Sequence, residues 1–283
     1  MALAERVPLL ELEGISKAFG PVEALADVHF KVYAGEVVAL VGDNGAGKST
    51  LIKAIAGIHP IDTGTIRYQG KEVHIHNPVD SRTLGISTVY QDLALCDNLD
   101  VVANLFLGRE TGQFRGPLGI TDESSMEMHS LAVLRRLSVK IPSVRTEVAM
   151  LSGGQRQSVA VARAVLWKSK VVLLDEPTAA LGVAQTKEVL DLVKRLREEG
   201  HGVVIISHNL VDVFEVADRI TVLRLGRYVG TYETKKTDRE TIVGLMTGAI
   251  AGAAPINPDI EGLPDLEGPV GTGANSALAE EAL

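Results

Sequence analysis

Hydrophobic positions along this chain fall into two spacings that alternate from end to end. From residue 8 to 41, "LLELEGI" and "LADVHFKVYAGEVVALV" set apolar and polar residues partly in alternation around Gly35, the pattern of short strands separated by turns. "TIRYQGKEVHI" continues it and predicts a hairpin with Gln69 and Gly70 at its tip, so an antiparallel β-layer is expected in the first part of the chain. Between about 92 and 168 the text changes. "LDVVANLFLG" and "SSMEMHSLAVLRRLSV" carry apolar residues at helical intervals and predict a mostly helical insert. "KVVLLDEP" then reads as a buried strand, and "AQTKEVLDLVKRLREEG" as an amphipathic helix with Val189, Leu192, Val193 and Leu196 on one face and Gly200 as its stop. "GVVIISH" is another buried strand, and "ITVLRLGRYVGTY" a hairpin turning near Gly226. Strands alternating with helices define a mainly parallel α/β core.

Composition narrows the class. The chain has 283 residues, 46% hydrophobic and 23% charged, a soluble globular balance long enough to bury a substantial core. Its longest apolar stretch, "IVGLMTGAIAGAAPI" from 242 to 256, contains Pro255 and falls short of the roughly 20 residues that span a bilayer. The first residues show no secretory signal, since Glu5 and Arg6 interrupt the apolar run. The only cysteine, Cys96, cannot form an internal disulfide, which fits a reducing cytosol. The net charge of −8 argues against nonspecific nucleic-acid binding. Six acids and no Lys or Arg lie between 251 and 283, and without those six the rest carries −2. That Gly-, Pro- and Ala-rich stretch predicts a mobile acidic tail.

The chemistry starts with "GDNGAGKST", 42 to 50, placed between a strand and a helix. Gly42, Gly45 and Gly47 let the backbone wrap a phosphate, so that the amides of Asp43, Asn44 and Ala46 and the helix N-terminus point inward. Lys48 neutralises β- and γ-phosphates, Ser49 offers a hydroxyl to Mg²⁺, and Thr50 adds a hydrogen bond to a phosphate oxygen. This spacing predicts binding of a nucleoside triphosphate.

Three further features suit its hydrolysis. Asp175 at the carboxyl end of "VVLLD" can order Mg²⁺ and its waters, and Glu176, the next residue, can act as general base toward an attacking water. His208 ends "GVVIISH" on the same rim of the sheet, where it can hydrogen-bond the γ-phosphate and orient that water. Gln91 closes the strand leading into the insert; its amide oxygen can ligate Mg²⁺ or the water and can report nucleotide state. In "MLSGGQRQ", Ser152, Gly153 and Gly154 open a helix and form a second anion site. A second cradle in a chain that already has one suggests ATP shared between two copies.

These motifs, in this order, resemble the ATP-binding subunit of an ABC transporter over residues 8 to 248: "GDNGAGKST" is similar to the Walker A loop, Gln91 to the Q-loop, "LSGGQ" to the ABC signature, "VVLLDE" to Walker B and His208 to the switch histidine. The resemblance implies a P-loop NTPase core of the ABC ATPase type, with an antiparallel β-subdomain and a helical subdomain. Phe19 lies where the family stacks an aromatic on adenine. The implied assembly is a head-to-tail homodimer sandwiching two ATP molecules and moving integral membrane permease subunits, peripheral to the cytoplasmic face of the cell membrane. "DEPTAALGV" and "YQDLALCDNLDVVANLFLGRE" resemble ATPases of bacterial monosaccharide importers of the ribose, xylose and fructose type, nearest to the single-cassette fructose form, which a periplasmic sugar-binding protein serves indirectly. One departure is Gly182, where many members carry an aspartate that helps the two ATP sites communicate. A different class, the soluble ABC-type ATPases of ribosomes or nucleic acid, usually shows tandem cassettes or a long coiled-coil insertion, and neither is visible in the sequence.

Overall fold

The computed structural model describes residues 7–110 and 122–250, so the predicted acidic tail lies outside the described residues. Among the described residues, ten strands make one sheet. Its antiparallel flank runs β5-β4-β1-β2, from β1 (Leu10–Phe19), β2 (Val22–Val32), β4 (Thr63–Tyr68) and β5 (Lys71–Val73). Its parallel part runs β9-β3-β8-β7-β6, from β3 (Glu36–Val41), β6 (Ile86–Val89), β7 (Val171–Asp175), β8 (Gly202–Ile206) and β9 (Arg219–Arg224). The last strand, β10 (Arg227–Glu233), joins the two, antiparallel to β9 and parallel to β2 through the Arg227–Ala26 pair.

Side-chain alternation on the central strands separates two cores. Val37, Ala39 and Val41 of β3, Val172 and Leu174 of β7, and Val203 and Ile205 of β8 face one cluster; Val38, Leu40, Leu173, Val204 and Ile206 face the other. The first cluster takes the insert helices α3 (Val101–Phe106), α4 (Glu123–Arg136) and α5 (Gly153–Leu166), together with α6 (Val183–Glu198), whose Val189, Leu192, Val193 and Leu196 are buried as the periodicity predicts. Into the second go Leu51, Ile52 and Ile55 of α1 (Lys48–Ile55), packed with Leu10, Leu12, Val28 and Phe30 of the antiparallel flank. Each such side chain contributes about 1.5–3 kcal/mol on burial. The helix carrying Lys48 is therefore anchored between both parts of the sheet.

Both predicted hairpin tips hold two left-handed residues, Gln69–Gly70 (φ 52 and 76) and Leu225–Gly226 (φ 49 and 77), as two-residue turns matched to strand twist require. One relation was not visible in the sequence. Although β2 and β3 are consecutive, the late β9–β10 hairpin lies between them in the sheet. Three short helices also escape the periodicity: α2 (Pro78–Thr83), α7 (Leu210–Val216) and α8 (Arg239–Thr247). Among the described residues, no helix is long and apolar enough to cross a membrane.

Candidate active site

The phosphate loop leaves β3 at Gly42. A Cβ there would run into the Leu223 carbonyl oxygen and come within 2.8 Å of Ala46 Cβ, while one at Gly47 would meet the Ala24 carbonyl oxygen at 2.8 Å. Gly45 has open space around it but holds φ 80, a conformation costly for other residues. Asp43, Asn44, Gly45 and Ser49 are exposed at the mouth of the loop, Thr50 is half-buried, and Ala46 is buried beneath. No side chain caps the start of α1 at Gly47, which leaves its first amides open to an anion. Lys48 Nζ donates to the carbonyls of Gly42 (2.6 Å) and Asp43 (3.0 Å), holding the ammonium across the loop. Burial lowers the Lys48 pKa, against the opposing influence of Glu176, Asp43 and Asp175.

On the adjoining strand ends the acids meet the histidine. His208 Nδ1–H donates to Glu176 Oε2 at 2.8 Å, with the Glu176 side chain largely buried (17% exposed) and the imidazole mostly open (74%). Glu176 sits at φ 49, a left-handed conformation that its own N–H helps to fix by donating to the Ile206 carbonyl of β8 at 2.9 Å. Two residues on, buried Thr178 donates to buried Asp212 of α7 at 2.7 Å, tying the loop after β7 to the helix after His208. Burial raises the Asp175 pKa, and the Glu176 carboxylate adds to it, while Lys48 and Lys53 oppose. Gln91 and Asp175 line one cleft with Tyr90 and Lys53. Lys53 was not singled out in the sequence, though its place one turn beyond Ser49 on α1 was the available signal.

Gln91 and Asp175 share that cleft, which Ser49 does not line; an amide and a carboxylate oxygen, with a hydroxyl, are hard donors of the kind that suit Mg²⁺, an ion commonly held by one or two carboxylates plus substrate phosphates. Among the described residues, no three His, Cys, Asp or Glu side chains converge as a self-sufficient metal site.

The remaining candidates lie apart from this group. Ser152 caps α5: its Oγ accepts from Gln155 N (3.3 Å), and Gln155 Oε1 accepts from Ser152 N (3.0 Å). Ser152 and Gly153 are exposed and Gly154 is buried. None of the three lines the cleft of Gln91 and Asp175, and no hydrogen bond among the described residues ties them to the phosphate loop. Their neighbours are Leu181 and Gln185, a Cβ on Gly153 lying 2.9 Å from Leu181 Cδ2 and one on Gly154 3.0 Å from Gln185 Cβ. Gly182, between those two, has nothing within 4 Å of a built Cβ, so space does not dictate glycine there. Phe19, at the end of β1, is 43% exposed, edge-on to His59 (5.1 Å) with Lys17 Nζ 5.5 Å from its ring centre.

A steric glycine cradle at one strand end, with an acid pair and a histidine on the neighbouring ends, defines a P-loop nucleoside triphosphatase. Residues 25–179 match the family model described as ABC transporter. The xylose/arabinose import ATP-binding protein XylG of Sulfolobus acidocaldarius is 46% identical over 244 residues, covering 86% of this chain and 96% of its own. The fructose import ATP-binding protein FrcA of Rhizobium meliloti is 46% identical over 247 residues, 86% and 95% of the two chains. Against the ribose import ATP-binding protein RbsA 1 of Rubrobacter xylanophilus the identity is 43% over 241 residues, 85% of this chain but 47% of that one, so the chain spans about half of that relative. An ATP-binding cassette of an ABC transporter, solved in its ADP conformation, superimposes with a TM-score of 0.71 at 27% identity, covering 85% of this chain and 95% of that one. This chain belongs to the ABC transporter family.

Proposed function

We propose that the chain is the ATP-hydrolysing subunit of an importer, coupling ATP binding and hydrolysis to uptake of a monosaccharide of the fructose, ribose or xylose type through an integral membrane permease. The observation that carries hydrolysis is the Glu176–His208 hydrogen bond on the strand rim beside the glycine cradle and Lys48. In this reading Glu176 takes the proton of the attacking water as its oxygen bonds to the γ-phosphorus and the bond from that phosphorus to the β–γ bridging oxygen breaks, ADP leaving with the electron pair. His208, its Nδ1 side held by Glu176, presents the rest of its exposed imidazole to the γ-phosphate. Lys48 exchanges its loop carbonyls for β- and γ-phosphate oxygens, and the amides of the loop and α1 hold the rest of the polyphosphate. Mg²⁺, held by Ser49, Gln91 and Asp175, would neutralise charge on the phosphate oxygens. Phe19 stacks on adenine.

The signature at Ser152–Gly154 serves the nucleotide of a second copy in a head-to-tail dimer. A solved post-hydrolysis cassette bound to ADP and Pi, similar at a TM-score of 0.64 and 26% identity, is dimeric, which supports pairing of two copies. Permease subunits dock at the groove between the core and the insert lined by Arg82, Leu107, Arg109 and Trp167, next to Tyr90 and hence to Gln91. The sugar itself rests on the import relatives alone.

The test is sugar uptake in cells lacking this chain, complemented with wild type or Glu176→Gln and scanned over fructose, ribose and xylose. Uptake of one sugar restored only by wild type is the expected result. Unaffected uptake of all three would sink the importer reading.

A further inference from the structure

We infer that Arg163 is a positioning residue that locks the Gln91 loop to the signature helix, so that the state of one nucleotide site is passed to the signature serving the other. The inference rests on the ATPase reading above, and its observations are independent of that reading. Directly after Gln91 the backbone makes a turn in which two successive non-glycine residues, Leu93 (φ 59) and Ala94 (φ 45), are left-handed. Each such residue is strained and persists only where its surroundings over-determine it. Local bonds hold part of the turn, Leu93 N donating to Tyr90 O (2.9 Å) and Ala94 N to Asp92 O (2.7 Å).

The rest comes from far along the chain. Arg163 donates from Nη1 to the Ala94 carbonyl at 2.7 Å and from Nη2 to the Leu93 carbonyl at 2.8 Å, one fork on the two strained residues. Arg163 belongs to α5, the helix that Ser152, Gly153 and Gly154 begin. Among the described residues no carboxylate is bonded to this guanidinium, and its burial lowers its pKa, so charge is committed to two backbone oxygens at a desolvation cost. A lysine could keep the charge but not the fork. Movement of Gln91 toward or away from a nucleotide must therefore either carry α5 with it or break this pair of bonds.

The experiment compares wild type, Arg163→Lys, Gln91→Ala and the double variant in three measurements: binding of a fluorescent ATP analogue, Mg-ATP turnover, and amide exchange at Leu93 and Ala94. Arg163→Lys is expected to keep nucleotide affinity within about twofold, to lower turnover roughly tenfold, and to speed exchange at those two amides alone. The double variant is expected to turn over no more slowly than the slower single variant, because both changes cut the same link. Independent, multiplying losses in the double variant would overturn the inference. So would unchanged turnover in Arg163→Lys or Gln91→Ala, or a loss of ATP binding in step with a lowered melting temperature, the mark of a merely structural arginine. Failure of the wild type to hydrolyse ATP at all would count instead against the proposed function, with the exchange result still deciding whether Arg163 holds the turn.

Discussion

The loop ends of β3, β7 and β8 and the head of α5 both present groups suited to phosphate, and they are built in opposite ways. At the strand ends charge is crowded and partly buried. Lys48 is bonded to loop carbonyls, Asp175 is pushed up by burial and by Glu176, and Glu176 is strained at φ 49 while bonded to His208. At the head of α5, Ser152 and Gln155 satisfy one another in a capping box, Ser152 and Gly153 are open to solvent, and the flanking Met150 is 78% exposed. In the proposed reading the first region does the chemistry on the ligand seated in this chain's own phosphate loop. The second is relaxed and outward-facing, as expected of a surface that acts on another copy's ligand.

The largest expected effect breaks the strand-end region alone. Glu176→Gln should keep ATP binding and lower turnover by about a thousandfold, trapping the closed dimer in size-exclusion runs with ATP. Unchanged turnover would remove Glu176 as the base. At the other region, Gly153→Asp sets a carboxylate where phosphate should approach, while an acid in the first turn of a helix favours folding. Turnover should fall about a hundredfold with ATP binding intact. Mixing the two inactive variants sharpens the contrast, because a mixed dimer holds one site with an intact base and an intact signature. Random pairing places one intact site in half of the dimers, so turnover should recover clearly, toward a limit of about a quarter of wild type that coupling between the sites would lower. Recovery on mixing would exclude a chain working with its own signature, because neither variant has both parts.

Why one region was legible from the sequence and the other only half so follows from range. The spacing of the phosphate cradle is local, with Lys48 bonding back to the Gly42 carbonyl, although the carbonyls that exclude a Cβ at Gly42 and Gly47 belong to the distant Leu223 and Ala24. Glu176 and His208 could be set on the same rim because both follow buried apolar runs, although their hydrogen bond crosses 32 positions. The Arg163 fork joins residues 69 and 70 positions apart, and no periodicity marks it. The placing of β9 and β10 between β2 and β3 depends on how two cores fill, which alternation within single strands does not encode. Helix α2 has only six residues, too few for a stripe, and its legible sign was the Asn77-Pro78 start with Asp80 closing a capping box.

A smaller effect is expected at the adenine end. Phe19 lies outside the core and loses only its contacts with His59 and Lys17, so Phe19→Ala should lower the melting temperature slightly. It should weaken ATP binding by about three- to tenfold, the size of one aromatic stack, and Phe19→Trp should restore it. Equal affinity in Phe19→Ala and wild type would release Phe19 from the site.

The smallest effects are in stability, and they test the contrast between the two regions by sign. Because the Asp175 pKa is raised in the fold, the folded chain holds a proton more tightly than the unfolded one. Stability tied to this carboxyl is thus fully present below the ordinary carboxylate range and is lost as pH rises through the raised value. Asn cannot ionise, so in the nucleotide-free chain Asp175→Asn should stabilise at pH 8, read as a small rise in melting temperature. The gain should shrink as pH is lowered and the wild-type carboxyl takes up its proton. At the head of α5 the sign is reversed. Ser152→Ala removes a satisfied cap and should cost about 1 kcal/mol at any pH between 5 and 8, since neither partner titrates there. If the Asn variant is the less stable at pH 8, Asp175 is structural before it is functional, and the strand ends store no electrostatic cost for a bound ligand to relieve.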